Sequence, residues 1–159
     1  MKKLVLALSL LCSIAACSAE KHPASTSGTE HPTSADLKEA STMKIRLTIN
    51  GMPTTATLID SPTTRDFIAL LPITLKLDDY ASTEKIAYLP KNLTTQGAPA
   101  GIDPAVGDIT YYAPWGNLAI FYRDFGYSKG LIKLGRFDTG VEALAASDSL
   151  TILIEAIPR

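Results

Sequence analysis

The sequence predicts a mostly β domain: a closed, antiparallel, eight-stranded barrel capped by two short helices. Three observations lead there. From Met43 onward, about eight short segments alternate apolar and polar residues, or run apolar between Gly, Pro and Asn breaks, as strands do. Only two stretches, opening at Ser61 and at Thr139, carry helix-start signals, and the second lies just before the last strand. An antiparallel sheet of that size keeps two unpaired edges unless it closes, and closure leaves the two helices to plug the ends.

Composition sets the frame. With 46% hydrophobic and 19% charged residues the chain can build a core, and 159 residues suffice for one domain plus extensions. A formal net charge of −1 gives no electrostatic footprint for nucleic acid, so no nucleic-acid partner is expected.

The N-terminus reads as an address. Lys2 and Lys3 precede an apolar run, Leu4 to Leu11, that is too short to span a bilayer as a helix. It ends in Ile14-Ala15-Ala16-Cys17, which resembles a bacterial lipobox. That resemblance implies a signal peptide over residues 1–16, a lipid on Cys17, and a membrane partner reached through that lipid. An ordinary secretory signal, with Cys17 incidental, is the alternative. In a two-membrane cell, Ser18 after the cysteine points to the outer membrane, so the expected location is the bacterial envelope. Cys12 would leave with the signal and Cys17 would carry lipid, so the mature chain has no disulfide to form.

Residues 17–42 are mostly Ser, Thr, Ala, Glu, Pro and His without apolar period, a composition that cannot offset ordering entropy. They read as a disordered tether on the order of 25–30 Å long. His22 and His31 are too sparse to argue for a metal, and none is expected.

The domain, residues 43–159, opens with Met43 to Ile49 in strict alternation. Asn50-Gly51 follows, two residues that tolerate positive φ, so Met52 to Ile59 should return as a hairpin. Ser61 can cap a helix with Pro62 in its first turn, Phe67, Leu70 and Leu71 on its apolar face, and Pro72 stopping it. Ile73, Leu75 and Leu77 mark a third strand, and Lys85 to Leu89 a fourth. The stretch 90–107 is a long loop punctuated by Pro and Gly; loops of that length are usually functional or packed by their own side chains.

Gly107 to Tyr127 holds seven of the chain's eleven aromatic residues. It reads as two strands broken at Pro114-Trp115-Gly116. Gly130 to Phe137 is a further strand. Thr139-Gly140-Val141-Glu142 has the pattern of a capping box opening a helix with Leu144 and Ala145 inward, and Ser149 to Ile157 closes the set.

The segments IRLTINGMPTTATLIDSPTTRDFIALLPITLKLDDY, EKIAYLP, QGAPAG, GDITYYAPWGNLAIFY and GYSKGLIKLGRFDTGVEAL resemble the bacterial cyclophilin-like domain family over residues 43–157. The resemblance implies an eight-stranded barrel with two helices, the same count reached from the residues. It carries no settled activity, and a gene-level association with flavodoxins and reductases makes an accessory role in a redox or flavin system a third reading. Cyclophilins proper are proline isomerases with a Phe-His-Arg, Pro, Gln-Gly-Gly-Asp motif. Here IAYLPKNLTTQGAPAG is similar, with Pro90 and Gln96-Gly97 in matching places, but the arginine would fall near uncharged Ala87. Their Ser-Gln-Phe-Phe-Ile pocket strand resembles Asn117 to Phe121, putting Ile120 at the pocket phenylalanine.

From Met43 onward there is no His and no Cys. That removes Ser-His triads, thiol nucleophiles, His or Cys zinc sites and a histidine base, and no glycine-rich phosphate loop appears, so no cofactor is expected. Asp78-Asp79 are neighbours on a strand and point to opposite faces, which favours a strand-end turn over paired acid–base work. Two readings of Trp115 stand: an anchor for a ligand, or a plug for one barrel end. Tyr88, Tyr112 and Tyr122 are either pocket rings or buried rings with satisfied hydroxyls. Gln96 and Asn117 are candidates for directed hydrogen bonds at a pocket mouth. Arg123 and Arg136 are the basic candidates, with surface ion pairs to Asp124 or Asp138 as the plainer account. Together these residues predict a binding barrel without catalysis for an extended peptide or small ligand, with Tyr88, Gln96, Tyr112, Trp115, Asn117, Ile120, Tyr122 and Arg123 at its pocket. The alternative is a weak peptidyl-prolyl isomerase in which Arg123 or Arg136 replaces the missing guanidinium.

Overall fold

A computed structural model describes residues 43–158. The expected lipobox, Cys17 and the tether lie outside the described residues. Strands β1 (Met43–Ile49) and β2 (Met52–Leu58) form the hairpin, with Ile49 opposite Met52. Its turn has φ of 48° at Asn50 and 84° at Gly51, the double positive φ that those two residues accept. Helix α1 (Pro62–Ile68) follows, and the Ser61 hydroxyl accepts a hydrogen bond from the Thr64 N–H at 3.1 Å. The helix is shorter than its apolar pattern suggested. Leu70 and Leu71 continue it only as turns bonded to the Phe67 and Ile68 carbonyls, and they are half-buried while Phe67 is buried completely.

Strands β3 (Ile73–Tyr80) and β4 (Glu84–Tyr88) come next, then the short β5 (Gly101–Ile102), β6 (Asp108–Tyr112), β7 (Asn117–Phe121), the short β8 (Ser128–Lys129), β9 (Leu131–Phe137) and β10 (Ser149–Ala156). Eight of them close into an antiparallel barrel in the order β1-β10-β3-β4-β7-β6-β9-β2, with β2 returning to β1. β5 and β8 pair separately as a two-residue ribbon, which no alternation of so short a length could announce. The rest of the 90–107 loop is tied to the barrel and the helix: Leu93 is buried and its N–H reaches the hydroxyl of Tyr111 on β6 at 3.2 Å, while the Thr94 N–H reaches Asp66 of α1 at 2.8 Å.

The barrel interior is filled by alternate residues such as Leu47, Leu58, Leu77, Leu118, Leu134 and Ile152, all fully buried. Antiparallel register puts α1 at the end where β2 finishes and the loop between β9 and β10 at the other. Phe67 enters the core from the first and Leu144 from the second. That second cap, Val141–Ala146, is a 3-10 helix, and the capping box does not form. Gly140 occupies the cap with φ of 79° and offers no side chain, while the Thr139 carbonyl accepts from the Thr54 hydroxyl at 2.6 Å. The tighter 3-10 winding turns Ala143, not Ala145, toward the core, and Ala145 is exposed.

β9 carries a bulge opposite Ile109 and Thr110, and Gly135 beside it is where β2 comes closest. A Cβ at Gly135 would stand 2.4 Å from the Thr57 carbonyl oxygen.

Candidate functional site

Alternation gives β4 two sets of side chains. Lys85 and Ala87 point into the barrel, whereas Glu84, Ile86 and Tyr88 point outward. Register places Phe121 beside Glu84, Ala119 beside Ile86 and Asn117 beside Tyr88. On the far side of β7, Asn117 faces Tyr112, which in turn faces Leu131 of β9. Every residue of β7 is buried, because its outer face is covered as well: Ala119, Phe121 and Leu131 form a second apolar cluster with Ile86, Ile102 and Tyr112. The β5–β8 ribbon supplies Ile102 to this cover. The continuous apolar run Leu118 to Phe121 is the sequence mark of a strand covered on both faces.

Above this outer cluster lies a cleft of about 160 Å³. Its walls are Tyr80, Tyr112, Trp115, Phe121 and Phe125, with Glu84, Asn117 and Ser128 as further polar side chains among them. Trp115 is 46% exposed, so it neither plugs the barrel nor is sealed by neighbours. Its ring stands edge to face with Tyr80 at 5.6 Å and 85°, and with Tyr112 at 5.4 Å and 78°, making two right-angled corners. Phe121 and Phe125 stack at 6.3 Å. The volume matches one benzene-sized group and falls short of the 300–1,000 Å³ of pockets that hold whole drug-sized ligands.

Two polar groups in the cleft lack protein partners. Burial pushes the Glu84 carboxyl up to about 7, and no lysine or arginine among the described residues forms an ion pair with it. The Asn117 amide donates to the Leu118 carbonyl at 3.1 Å, which fixes its orientation and leaves the buried Oδ1 without a donor. Glu84 was not singled out from the sequence. Its parity with Ile86 and Tyr88 on one face of β4 was the signal that could have found it.

Of the eight residues expected at a pocket, the structure brings Tyr112, Trp115 and Asn117 together here. Tyr88 lies on the same outer face, in register with Asn117, but exposed beside the cleft. Gln96 borders a different shallow depression, with Ile59, Pro62 and Lys133. Ile120 is in the barrel core, fully buried. The resemblance set it at the pocket position, but a shift of one residue along a strand exchanges faces, and Ala119 and Phe121 hold the outer positions. Ala87 is likewise interior, leaving Ile86 outside. Arg123 is exposed just past β7 without lining the cleft, and the Arg136 Nη2 donates to the Val106 carbonyl at 2.8 Å.

Tyr122 points inward, into a polar cluster at the barrel end. There Lys85, only 1% exposed, pairs with Asp79 Oδ1 at 2.8 Å and donates to the Ser147 carbonyl at 2.6 Å. The Tyr122 hydroxyl donates to the same Asp79 oxygen at 2.5 Å, and Lys85 Nζ sits 5.4 Å from the Tyr122 ring centre. Hydrogen bonds from Lys85 and then Tyr122 hold the Asp79 carboxyl below its ordinary value; burial, followed by Asp79, pushes the Tyr122 phenol up to about 12. Its charges are paired, so this cluster closes the barrel rather than offering a site. Asp78 faces outward to Lys76 and Asp79 inward, as neighbours on a strand must. Among the described residues no group of three His, Cys, Asp or Glu side chains could hold a metal ion.

Comparison with known proteins agrees with this architecture. The solution structure of a hypothetical protein from Archaeoglobus fulgidus superposes with a TM-score of 0.53 at 18% identity, covering 74% of this chain and 96% of that one. At that identity the likeness concerns the fold. No curated protein matches. The sequence pattern of the cyclophilin-like family matches residues 47–155, a span that runs from β1 to β10 and takes in every wall of the cleft, and the chain belongs to that family.

Proposed function

We propose that the protein is a lipid-anchored envelope module that binds, without catalysis, one side-chain-sized group of an extended peptide or small ligand in the outer-wall cleft. The observation that carries this reading is Trp115: a large ring left nearly half exposed at the mouth of an apolar cleft that the chain does not fill itself. An exposed cluster of aromatic rings beside buried, unsatisfied polar groups is costly to keep unless something binds there. The volume favours a single ring or aliphatic end over a flavin-sized cofactor.

The non-catalytic part rests on charge. Stabilising a twisted amide across a barrier of about 18–20 kcal/mol calls for a donor aimed at the amide. No guanidinium lines the cleft, and the one charged side chain type in its wall is the carboxylate of Glu84. A protease-coupled assay with an Ala-Pro peptide should therefore show no rate above background; a rate abolished by Arg123→Ala would restore the isomerase reading. Binding is tested by titrating the fluorescence of Trp115, the chain's one tryptophan, with proline-containing peptides and envelope extracts. Saturable quenching or a blue shift supports the reading. A flat response to every ligand tried, with free iodide quenching Trp115 unhindered throughout, removes it.

A further inference from the structure

The ligand class can be narrowed, on the premise that the cleft is the binding site. We infer that the cleft receives an N–H-bearing organic cation, a primary ammonium or guanidinium end, held between the Glu84 carboxylate, the Asn117 Oδ1 and the faces of Tyr80, Tyr112 and Trp115. Each part of the wall contributes a separate argument. Rings set at 78° and 85° to Trp115 make an open box, and such a box attracts a cation through the negative ring faces. Glu84 sits in register between Tyr80 on β3 and Phe121 on β7, so its carboxylate is flanked by aromatic rings on both strands. The protein supplies it no counter-charge: the five ion pairs among the described residues all lie elsewhere.

Asn117 adds the second, independent requirement. Its side chain is 1% exposed and Oδ1 accepts no hydrogen bond, so the matching ligand brings a donor. A quaternary ammonium satisfies the rings and the charge but leaves this acceptor orphaned. An ammonium or guanidinium satisfies all three. The volume suits the end of a lysine or arginine side chain or a free alkylamine, the shared chemistry being a cationic nitrogen with N–H on a short stem.

The same geometry makes binding proton-linked. A cation selects the ionised Glu84, whose burial holds its carboxyl near 7, so affinity rises as pH rises through that value. The other titratable side chains facing Glu84 are the phenols of Tyr80 on β3 and Tyr112 on β6; β7, the loop after it and β8 present only Asn117, Phe121, Phe125 and Ser128.

The experiment uses the full chain in detergent or vesicles, reading Trp115 fluorescence against n-butylammonium, n-butylguanidinium, n-butyltrimethylammonium, 1-pentanol and butyrate. We expect saturation with the ammonium or guanidinium, at least tenfold weaker binding of pentanol and no butyrate binding. The trimethylated cation should bind severalfold more weakly than the ammonium. Affinity for n-butylammonium should fall at least tenfold between pH 8 and pH 5.5, and Glu84→Gln should remove both the affinity and its pH dependence. Equal binding of pentanol and n-butylammonium, or a trimethylated cation that binds best, overturns the inference while leaving the cleft as a site. A pH-independent affinity in the unmodified chain overturns it without recourse to any variant. Failure of all five probes together with proline peptides overturns the underlying site as well.

Discussion

Glu84 carries an energetic cost that the fold does not need. Its carboxyl is raised from 4.5 to about 7 because burial opposes the charge. A folded-state value above the unfolded one means the folded chain holds more protons between those limits, so stability falls as pH climbs from about 4.5 through about 7. Glu84→Gln should therefore leave thermal stability unchanged at pH 4 and raise it at pH 8, by roughly 1–3 kcal/mol after allowance for partial solvent access. Differential scanning calorimetry at the two pH values checks this; equal shifts at both would mean the carboxyl is not strained. Residues that lower stability while no protein group compensates them collect at binding sites. Lys85, its neighbour, behaves in the opposite way. It is buried, but Asp79, the Ser147 carbonyl and the Tyr122 ring surround it. Lys85→Met leaves Asp79 next to the end of the barrel without its cation and should cost about 2–4 kcal/mol in chemical denaturation. A change below ~1 kcal/mol would show that solvent already screens the pair.

At the scale of elements, the close approach of β2 to β9 depends on one missing Cβ. Gly135→Ala would bring a methyl to 2.4 Å from the Thr57 oxygen and 2.8 Å from Leu58 Cα, both backbone atoms that cannot rotate away. The expected loss is about 3 kcal/mol, measurable by urea denaturation with an unchanged slope; a loss under ~1 kcal/mol would mean the strands slide apart freely. Most elements were legible because each had a local cause. Asn50-Gly51 and Ser61-Pro62 are chemical signals that act within four residues, and the alternation of β1, β3 and β10 reports one buried face. What escaped has no such cause. The β5–β8 ribbon is two residues long, and the 3-10 helix takes Gly140 as its cap, one residue past Thr139, whose side chain the capping-box pattern puts there. The site was half legible for a related reason. Aromatic richness marked the stretch that supplies four of the cleft's five rings, and Tyr112, Trp115 and Asn117 line the cleft. Ile120 failed because β7 is apolar on both faces, so composition could not say which face was outside. Pairing with β4 decides it, and pairing is not local.

For the molecule as a whole, the question is what keeps the barrel shut. β2 and β9 are in register at only three positions, Ala56 with Phe137, Thr57 with Arg136 and Leu58 with Gly135. Asp138 reinforces that seam from just beyond β9. Its carboxylate accepts from Thr55 at 2.6 Å and Thr57 at 2.7 Å on β2, and from Lys44 on β1 at 2.8 Å, while its own N–H reaches the Thr55 carbonyl at 2.9 Å. One side chain thus ties β9 to the two strands of the hairpin. Burial alone would raise this carboxyl, but the bonds from Lys44, Thr55 and Thr57 outweigh it and bring it down to about 2. A folded-state value below the unfolded one contributes stability that is complete above about pH 4 and is lost as pH falls through about 2. Asp138→Ala should accordingly cost roughly 1–2 kcal/mol at pH 7, a figure held down because Lys44 is mostly in solvent. The difference between this variant and the unmodified chain should shrink steadily as pH falls from about 4 toward 2. If the seam is where the barrel opens, amide exchange in the variant should quicken first at Thr55, Thr57 and Phe137, while β7 stays protected. Uniform acceleration around the barrel would instead make closure a property shared by all eight strands, with no seam at which it begins to fail.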